Sequence, residues 1–431
     1  MSKTIFILSR KRLSQILYFL YWVLMFSQIF SFRTAEIGPS QRDVYIDPAA
    51  LLRVAVIIII FLLLVTLKLL CGLPPLRIYG VSSGQRAILV LIGIIGISSF
   101  WSPLPLTAAF RIFQLVVATF LVWFMITSWG FNGLDKLIWK LSLPVIVCGI
   151  LNGIFAPGKL EIYEAGQIDF LYRFKENAAG HIAAIAVSYC LVQLMAKPVG
   201  IHLWKIVYRL LLATAGLFLF QSATGVILLF LAVSFIMIRM QYKLSISIVC
   251  FFLFTLLASL FFFNPLVLAG FLLGGKSAEN ILTLTGRLDL YPIAIKFGLK
   301  SPLWGYGFLG DSLLSRFDYI IGWFPQNAHN GYLSALLNFG IIGLINLIIT
   351  FIYVGKGLNI SPKKNFLSIY SDLLYQFRLV FLMLIVGNMV ESWIGDKFTL
   401  LWPFFVSLAI IPSIIKQSHE HPKKIFLDSI A

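Results

Sequence analysis

The sequence predicts an all-α, polytopic integral membrane protein, and three observations carry that prediction. Sixty percent of the 431 residues are hydrophobic, only 12% are charged and the mean hydropathy is +0.94, more apolar surface than one soluble core can bury. Apolar runs near the ~20 residues a helix needs to cross a bilayer recur from end to end, without the alternation of a membrane β-barrel. Finally, lysine and arginine favour one set of connecting segments while aspartate and glutamate favour the other.

Twelve spans follow in order: residues 13–32, 49–70, 87–100, 108–128, 141–156, 177–196, 203–220, 222–238, 244–263, 332–354, 373–390 and 399–415. The first follows "MSKTIFILSRKR", which resembles the start of a signal peptide. Its apolar stretch is long and runs into "SFRTAEIGPSQRD" rather than a small-residue cleavage site, so it reads as an uncleaved span. Spans seven and eight are divided only by the turn in "LFQSATGVILL", residues 219–229, and one broken helix is the alternative there. With a cytoplasmic N-terminus, 20 of 34 basic residues but only 4 of 17 acidic residues fall on inner segments. This places both termini in the cytoplasm. The charge excess is thus a topology signal, and it does not gather on one soluble face as nucleic-acid binding would require. Cys71, Cys148, Cys190 and Cys250 lie in or beside spans without paired spacing, so neither a disulfide framework nor a metal site is indicated.

Two outer segments exceed ordinary connections, residues 157–176 and 264–331. In the second, "TLTGRLDLYPIAIKFGLKSPLWGYGF" places Leu288, Tyr291, Ile295 and Leu299 at helical spacing, with Thr285 as an N-cap and Lys296 and Lys300 toward a polar side. This predicts an amphipathic helix on the outer leaflet or on the tops of the spans. Farther on, "FPQNAHNGYLSALLNFGIIGL" sets His329 between Asn327 and Asn330 at the mouth of a span.

These residues admit two readings. His329 is suited to accept a proton from a hydroxyl, with Asn327 and Asn330 orienting a polar ligand. Equally, the three residues could simply cap the helix behind them. Arg287 fits a phosphate in bidentate fashion or a headgroup reached by snorkelling, and Arg173 and Lys175, ahead of Asn177, pose the same choice. Arg53 and Arg378 lie within spans and need partners there. Arg378 is six residues from Asp372, too far along a helix to pair with it, so each requires another partner. The outer acids Glu161, Glu164, Asp169 and Asp311 fit either sugar contacts or solvated loops.

Three segments together resemble the O-antigen ligase and O-antigen polymerase family of membrane glycosyltransferases: "TGRLDLYPIAIKFGLKSPLWGYGF", "AHNGYLSALLNFGIIGL" and, more weakly, "YRFKENAAGHIA". "SSFWSPLP" (98–105) and "NMVES" (388–392) also fit. The resemblance implies one GT-C-like transmembrane glycosyltransferase domain over residues 1–431, in a bacterial inner membrane, with its active site on the periplasmic loops. It implies that His329 activates or positions an acceptor hydroxyl and that Arg287 faces the diphosphate of an undecaprenyl-linked donor. Arg173 and Lys175 are secondary candidates for the same anion, and Asn177, Asn327 and Asn330 join them as substrate-binding candidates. The implied partners are that lipid-linked glycan, a glycan or lipid-linked acceptor, the bilayer and other polysaccharide-assembly membrane proteins. No nucleic acid, cofactor or metal is implied. One departure is Thr224 in "QSATG", where relatives often carry a basic residue; if that residue grips the diphosphate elsewhere, another must do so here. The wording of "GYGF" and "AHNGYL" leans toward an exopolysaccharide polymerase. A ligase acting on lipid A core is the near alternative. A transporter or flippase, the rival of another class, would show an internal repeat of spans and a polar site at mid-membrane, and no such repeat is found.

Overall fold

The computed structural model describes residues 10–29, 48–71, 82–155, 177–196, 202–220, 222–240, 287–317, 327–359, 367–392, 394 and 399–420. The expected span 244–263, Thr285, Arg173 and Lys175 lie outside them. Among the described residues there are helices and turns but no strand. The α-helices are α1 (Arg10–Ile29), α2 (Pro48–Cys71), α3 (Ser83–Ser98), α4 (Pro105–Trp129), α5 (Leu137–Phe155), α6 (Asn177–Ala196), α7 (Leu203–Leu219), α8 (Ala223–Met240), α9 (Arg287–Gly298), α10 (Gly331–Leu358), α11 (Leu367–Gly387) and α12 (Trp402–Glu420). Eleven of the twelve expected spans coincide with one of them, and α9 is the helix expected in the long outer segment. Among the described residues, five helices are long and apolar enough to cross a membrane by length and composition: those within 51–69, 83–101, 105–129, 178–195 and 331–358.

The ends of the helices follow from local chemistry. Ser82 and Gln85 form a reciprocal capping box at α3, the Gln85 N–H donating to Ser82 Oγ at 3.2 Å and the Ser82 N–H to Gln85 Oε1 at 2.7 Å. Pro105 opens α4, where its missing N–H costs nothing. The α7–α8 junction resolves into two helices rather than one broken one, and both pack against α6. Ser222 accepts the Gly225 N–H at 3.1 Å there and starts α8.

Three groups share one apolar core. Helices α1, α2, α4 and α5 pack together, with Tyr21 donating to the Leu141 carbonyl at 3.0 Å across α1 and α5. A second group sets α7 and α8 against α6, whose middle is buried on every side. Third, α10 lies along α3, and α12 runs between α3, α4, α10 and α11. Trp402 on α12 is fully buried and gives its indole proton to Thr119 on α4 at 2.9 Å, which satisfies both polar groups inside the core. At the cytoplasmic ends expected from the charges, Asp372 pairs with Arg239 at 3.5 Å and Arg378 donates to the Leu358 carbonyl at 3.0 Å. Each thus has a partner other than the other, as the spacing required.

Helix α10 is broken. Gly340 takes φ 66° and ψ −164°, a conformation open to little but glycine. The chain of residues 302–306 fills the break: the Tyr306 N–H donates to the Leu337 carbonyl at 2.8 Å and the Ile341 N–H to the Pro302 carbonyl at 2.7 Å. Backbone meets backbone here, since a Cβ on Gly340 would stand 2.2 Å from the Leu303 oxygen and one on Gly305 (φ 65°) 2.6 Å from α10. The Leu337 carbonyl and the Ile341 N–H on the two sides of the break are therefore satisfied, as a non-aqueous surrounding favours. The same loop is fastened to the α3–α4 turn by Ser102, whose hydroxyl donates to the Phe308 carbonyl at 2.5 Å. These contacts give a physical reason for the "PLWGYGF" and "SSFWSPLP" wording.

The two sides of α9 also differ in what they meet. Helix α9 buries Arg287, Leu290, Ala294 and Gly298 against the protein, whereas Leu288, Ile295 and Leu299, read as its apolar face, are exposed. The small residues are what allow α9 to lie close on α10, where the Gly298 position faces Leu336 and Leu337. The larger apolar residues are left looking outward.

Candidate functional site

The site gathers three segments distant in sequence: the start of α9, the turn before α10 and the turn after α11. Arg287, the first residue of α9, is buried with its side chain 11% exposed. It donates from Nη2 to Glu391 Oε1 at 2.5 Å and from Nη1 to the Val390 carbonyl at 2.5 Å. A headgroup-snorkelling arginine would not be held this way. From the other side, His329 Nδ1 stands 3.3 Å from Glu391 Oε2, with the imidazole 27% exposed. One carboxylate therefore bridges the two residues singled out as catalytic candidates.

The turn that presents His329 is over-determined. His329 has φ 47°, uncommon for a residue with a side chain. Its N–H donates to Asn327 Oδ1 at 2.8 Å, closing an Asx-turn, and Tyr291 of α9 donates to its carbonyl at 3.4 Å. Ala328 is fully buried among Leu290, Ala294, Leu314 and Leu337, pinning the segment to α9 and α10. Asn330 is the N-cap of α10, its Oδ1 accepting from the Tyr332 and Leu333 N–H groups at 3.0 and 3.1 Å and its amide donating to the Met389 carbonyl at 2.9 Å. The capping reading thus describes Asn330, while His329 turns its ring to Glu391.

The turn after α11 is clasped in return. The Gly331 N–H donates to the Asn388 carbonyl at 2.8 Å, and Asn388, fully buried, accepts the Ile394 N–H at 2.9 Å. Next to Glu391, Ser392 is paired with Ser334 of α10 at 2.8 Å between hydroxyl oxygens, and Ser334 donates to Asp311 at 2.8 Å. Asp311, read as a sugar contact or a solvated loop charge, is instead almost wholly buried.

Burial pushes the Glu391 carboxyl toward a higher pKa. The hydrogen bond from His329 and the charge of Arg287 outweigh it and hold the group at about 2. Glu391 is therefore an anion at neutral pH. The Tyr291 phenol is raised, first by burial. An ionised Glu391 accepting from Nδ1 leaves the lone pair of His329 on Nε2, the arrangement of an oriented base. His181 is fully buried in α6.

Among the candidates, the structure thus brings together Arg287, His329, Asn327 and Asn330. Asn177 begins α6, four residues before His181. Glu391 is the residue that sequence reasoning missed as a site member. Its only signal was "NMVES", since nothing in the spacing joins it to residues 62 and 104 positions away.

The fold and the site define a multi-pass, all-helical membrane protein with a polar, charged centre at the ends of its helices. Residues 209–348 match the family model described as O-antigen ligase, which supports assignment of the chain to the O-antigen ligase and polymerase family. The matched stretch holds Arg287, His329 and the break in α10 and stops short of Glu391. A comparison with curated proteins returns no match.

Proposed function

We propose that this protein joins lipid-diphosphate-linked oligosaccharides into a surface polysaccharide at the outer face of a bacterial inner membrane. The observation that carries the reading is the bridging of Arg287 and His329 by Glu391. A cation suited to a diphosphate and an oriented base then share one shielded centre.

In this reading His329 Nε2 takes the proton of the acceptor hydroxyl as its oxygen bonds to the anomeric carbon of the donor sugar. The bond from that carbon to the diphosphate breaks, and the electron pair leaves with the lipid diphosphate. Direct displacement inverts the sugar carbon. Two of the five N–H groups of Arg287 are engaged by Glu391 and Val390, and the guanidinium has others with which to meet the departing oxyanion. Arg173 and Lys175 remain proposed helpers for the same charge, and Asn177, Asn327 and Asn330 proposed substrate contacts. With Arg287 offsetting the departing charge and His329 as base, the reading calls for no metal.

The repeat unit itself is the proposed acceptor, which makes the protein a polymerase. The matching family model bears the description O-antigen ligase, and this favours transfer to a lipid A core as the second reading.

The test is reconstitution of purified protein with an undecaprenyl-diphosphate oligosaccharide, alone and with lipid A core. A product ladder from the repeat alone establishes a polymerase, and product only with core establishes a ligase. His329→Ala and Arg287→Ala are each expected to lower turnover by roughly 10²-fold or more. Turnover untouched by both would refute the site.

A further inference from the structure

The buried carboxylate of Asp311 has no part in the chemistry proposed above, yet it sits at the end of a continuous hydrogen-bonded chain into that site. Asp311 belongs to a short 3₁₀ helix, residues 310–317, and is 2% exposed. Its own N–H donates to Asn338 Oδ1 at 2.8 Å, fixing its backbone to α10 beside the break. Its Oδ2 accepts from Ser334, fully buried on α10, at 2.8 Å. Ser334 Oγ in turn lies 2.8 Å from Ser392 Oγ, 7% exposed and adjacent in sequence to Glu391.

With Ser334 giving its single proton to Asp311, the pairing with Ser392 can only be donation from Ser392 to Ser334. The chain therefore has one direction, set by the carboxylate. Burying an acid is costly unless it is well served by hydrogen bonds, so a solvated loop would gain nothing from this placement. What the chain does reach is the acid turn.

We propose that Asp311 is a positioning residue: through Ser334 and Ser392 it holds the turn carrying Glu391, and so sets the spacing of Arg287 and His329. The proposal rests on the transferase reading for its effect on turnover, but not for its effect on the turn. A side chain that acts by placing another need not touch substrate, and small misplacements at a reacting centre can cost on the order of 10²-fold in rate.

The experiment compares Asp311→Ala, Asp311→Asn, Ser392→Ala and Glu391→Gln, together with the double variant of Asp311→Ala and Glu391→Gln, in the reconstituted full-length protein. Asp311→Ala is expected to lower kcat at least tenfold with the donor KM within about threefold. Asp311→Asn, which keeps an acceptor oxygen for Ser334, should recover most of that loss, and Ser392→Ala should share it. In the Glu391→Gln background Asp311→Ala should cost less than twofold more, because coupled residues are not additive. Full additivity, or an asparagine variant no better than alanine, would overturn the proposal. Hydrogen–deuterium exchange of residues 388–392 gives a reading independent of activity, and Asp311→Ala should speed it at least tenfold. If the wild type transfers no glycan, the transferase reading fails and exchange alone decides: an unchanged turn overturns the positioning role, and a loosened one supports it.

Discussion

Glu391 serves two partners at once, the Arg287 guanidinium at 2.5 Å and the His329 imidazole at 3.3 Å. Because its folded pKa is depressed to about 2 from an ordinary 4.5, its contribution to stability is present above pH 4.5 and is lost as pH falls toward 2. A shift of that size corresponds to about 3 kcal/mol. Unfolding of the detergent-solubilised protein should therefore become easier across pH 4.5 to 2, and Glu391→Gln should remove that dependence. A second outcome concerns Arg287. Replacing it with lysine keeps a charge but not the two-pronged grip on Glu391 and Val390, so turnover should fall by roughly tenfold or more. Parity of Arg287→Lys with wild type in the transfer assay would contradict this. Both partners were legible in the sequence, because "TGRL" and "AHNG" set them in polar contexts at the edges of apolar runs. Their common anion was not, since a single glutamate after α11 has no local pattern and reaches the site only through the packing of α11 beside α10.

At the scale of elements, α9 and α10 are the two whose irregularities make the site. Gly340→Ala places a Cβ against the Leu303 carbonyl in a backbone conformation that disfavours it. The expected cost is roughly 3 kcal/mol or more, read as a lowered thermal midpoint. Neither the break nor its filling could be read beforehand, because the pairing of residues 302–306 with α10 is a contact between backbones and leaves no side-chain periodicity. The outward face of α9 was legible as apolar, and of the two settings weighed for it, the outer leaflet and the tops of the spans, its exposure favours the first. Leu299, Leu303 and Trp304 continue the exposed stripe of Ile341, Ile345, Ile348 and Ile352 on α10, and Trp101 meets Trp304 edge-on at 6.3 Å between ring centroids. Aromatic residues of this kind favour the membrane–water boundary. Spin labels at 299 and 303 should accordingly report greater lipid depth than one at 289, and equal depth at all three would place α9 clear of the bilayer.

For the whole molecule, the positions of eleven helices were legible because long apolar runs have few alternatives to helix in lipid. Their arrangement was not, since α12 packs centrally against α3 and α4 through side-chain fit and a few long-range hydrogen bonds such as Trp402 to Thr119. The charge asymmetry predicts sidedness: cysteines introduced at residues 161 and 278 should react with a membrane-impermeant thiol reagent from the outer face, and those at either terminus should not. Reversal of that pattern would invert the topology. Finally, the broken α10 bears on how the chain is made. Residues 302–306 leave the ribosome before residues 331–358, so the strip of backbone that the interrupted helix requires has been synthesised before that helix emerges. The interruption need not wait for a distant part of the protein to arrive. Order of synthesis thereby becomes part of how an imperfect helix can be released into lipid.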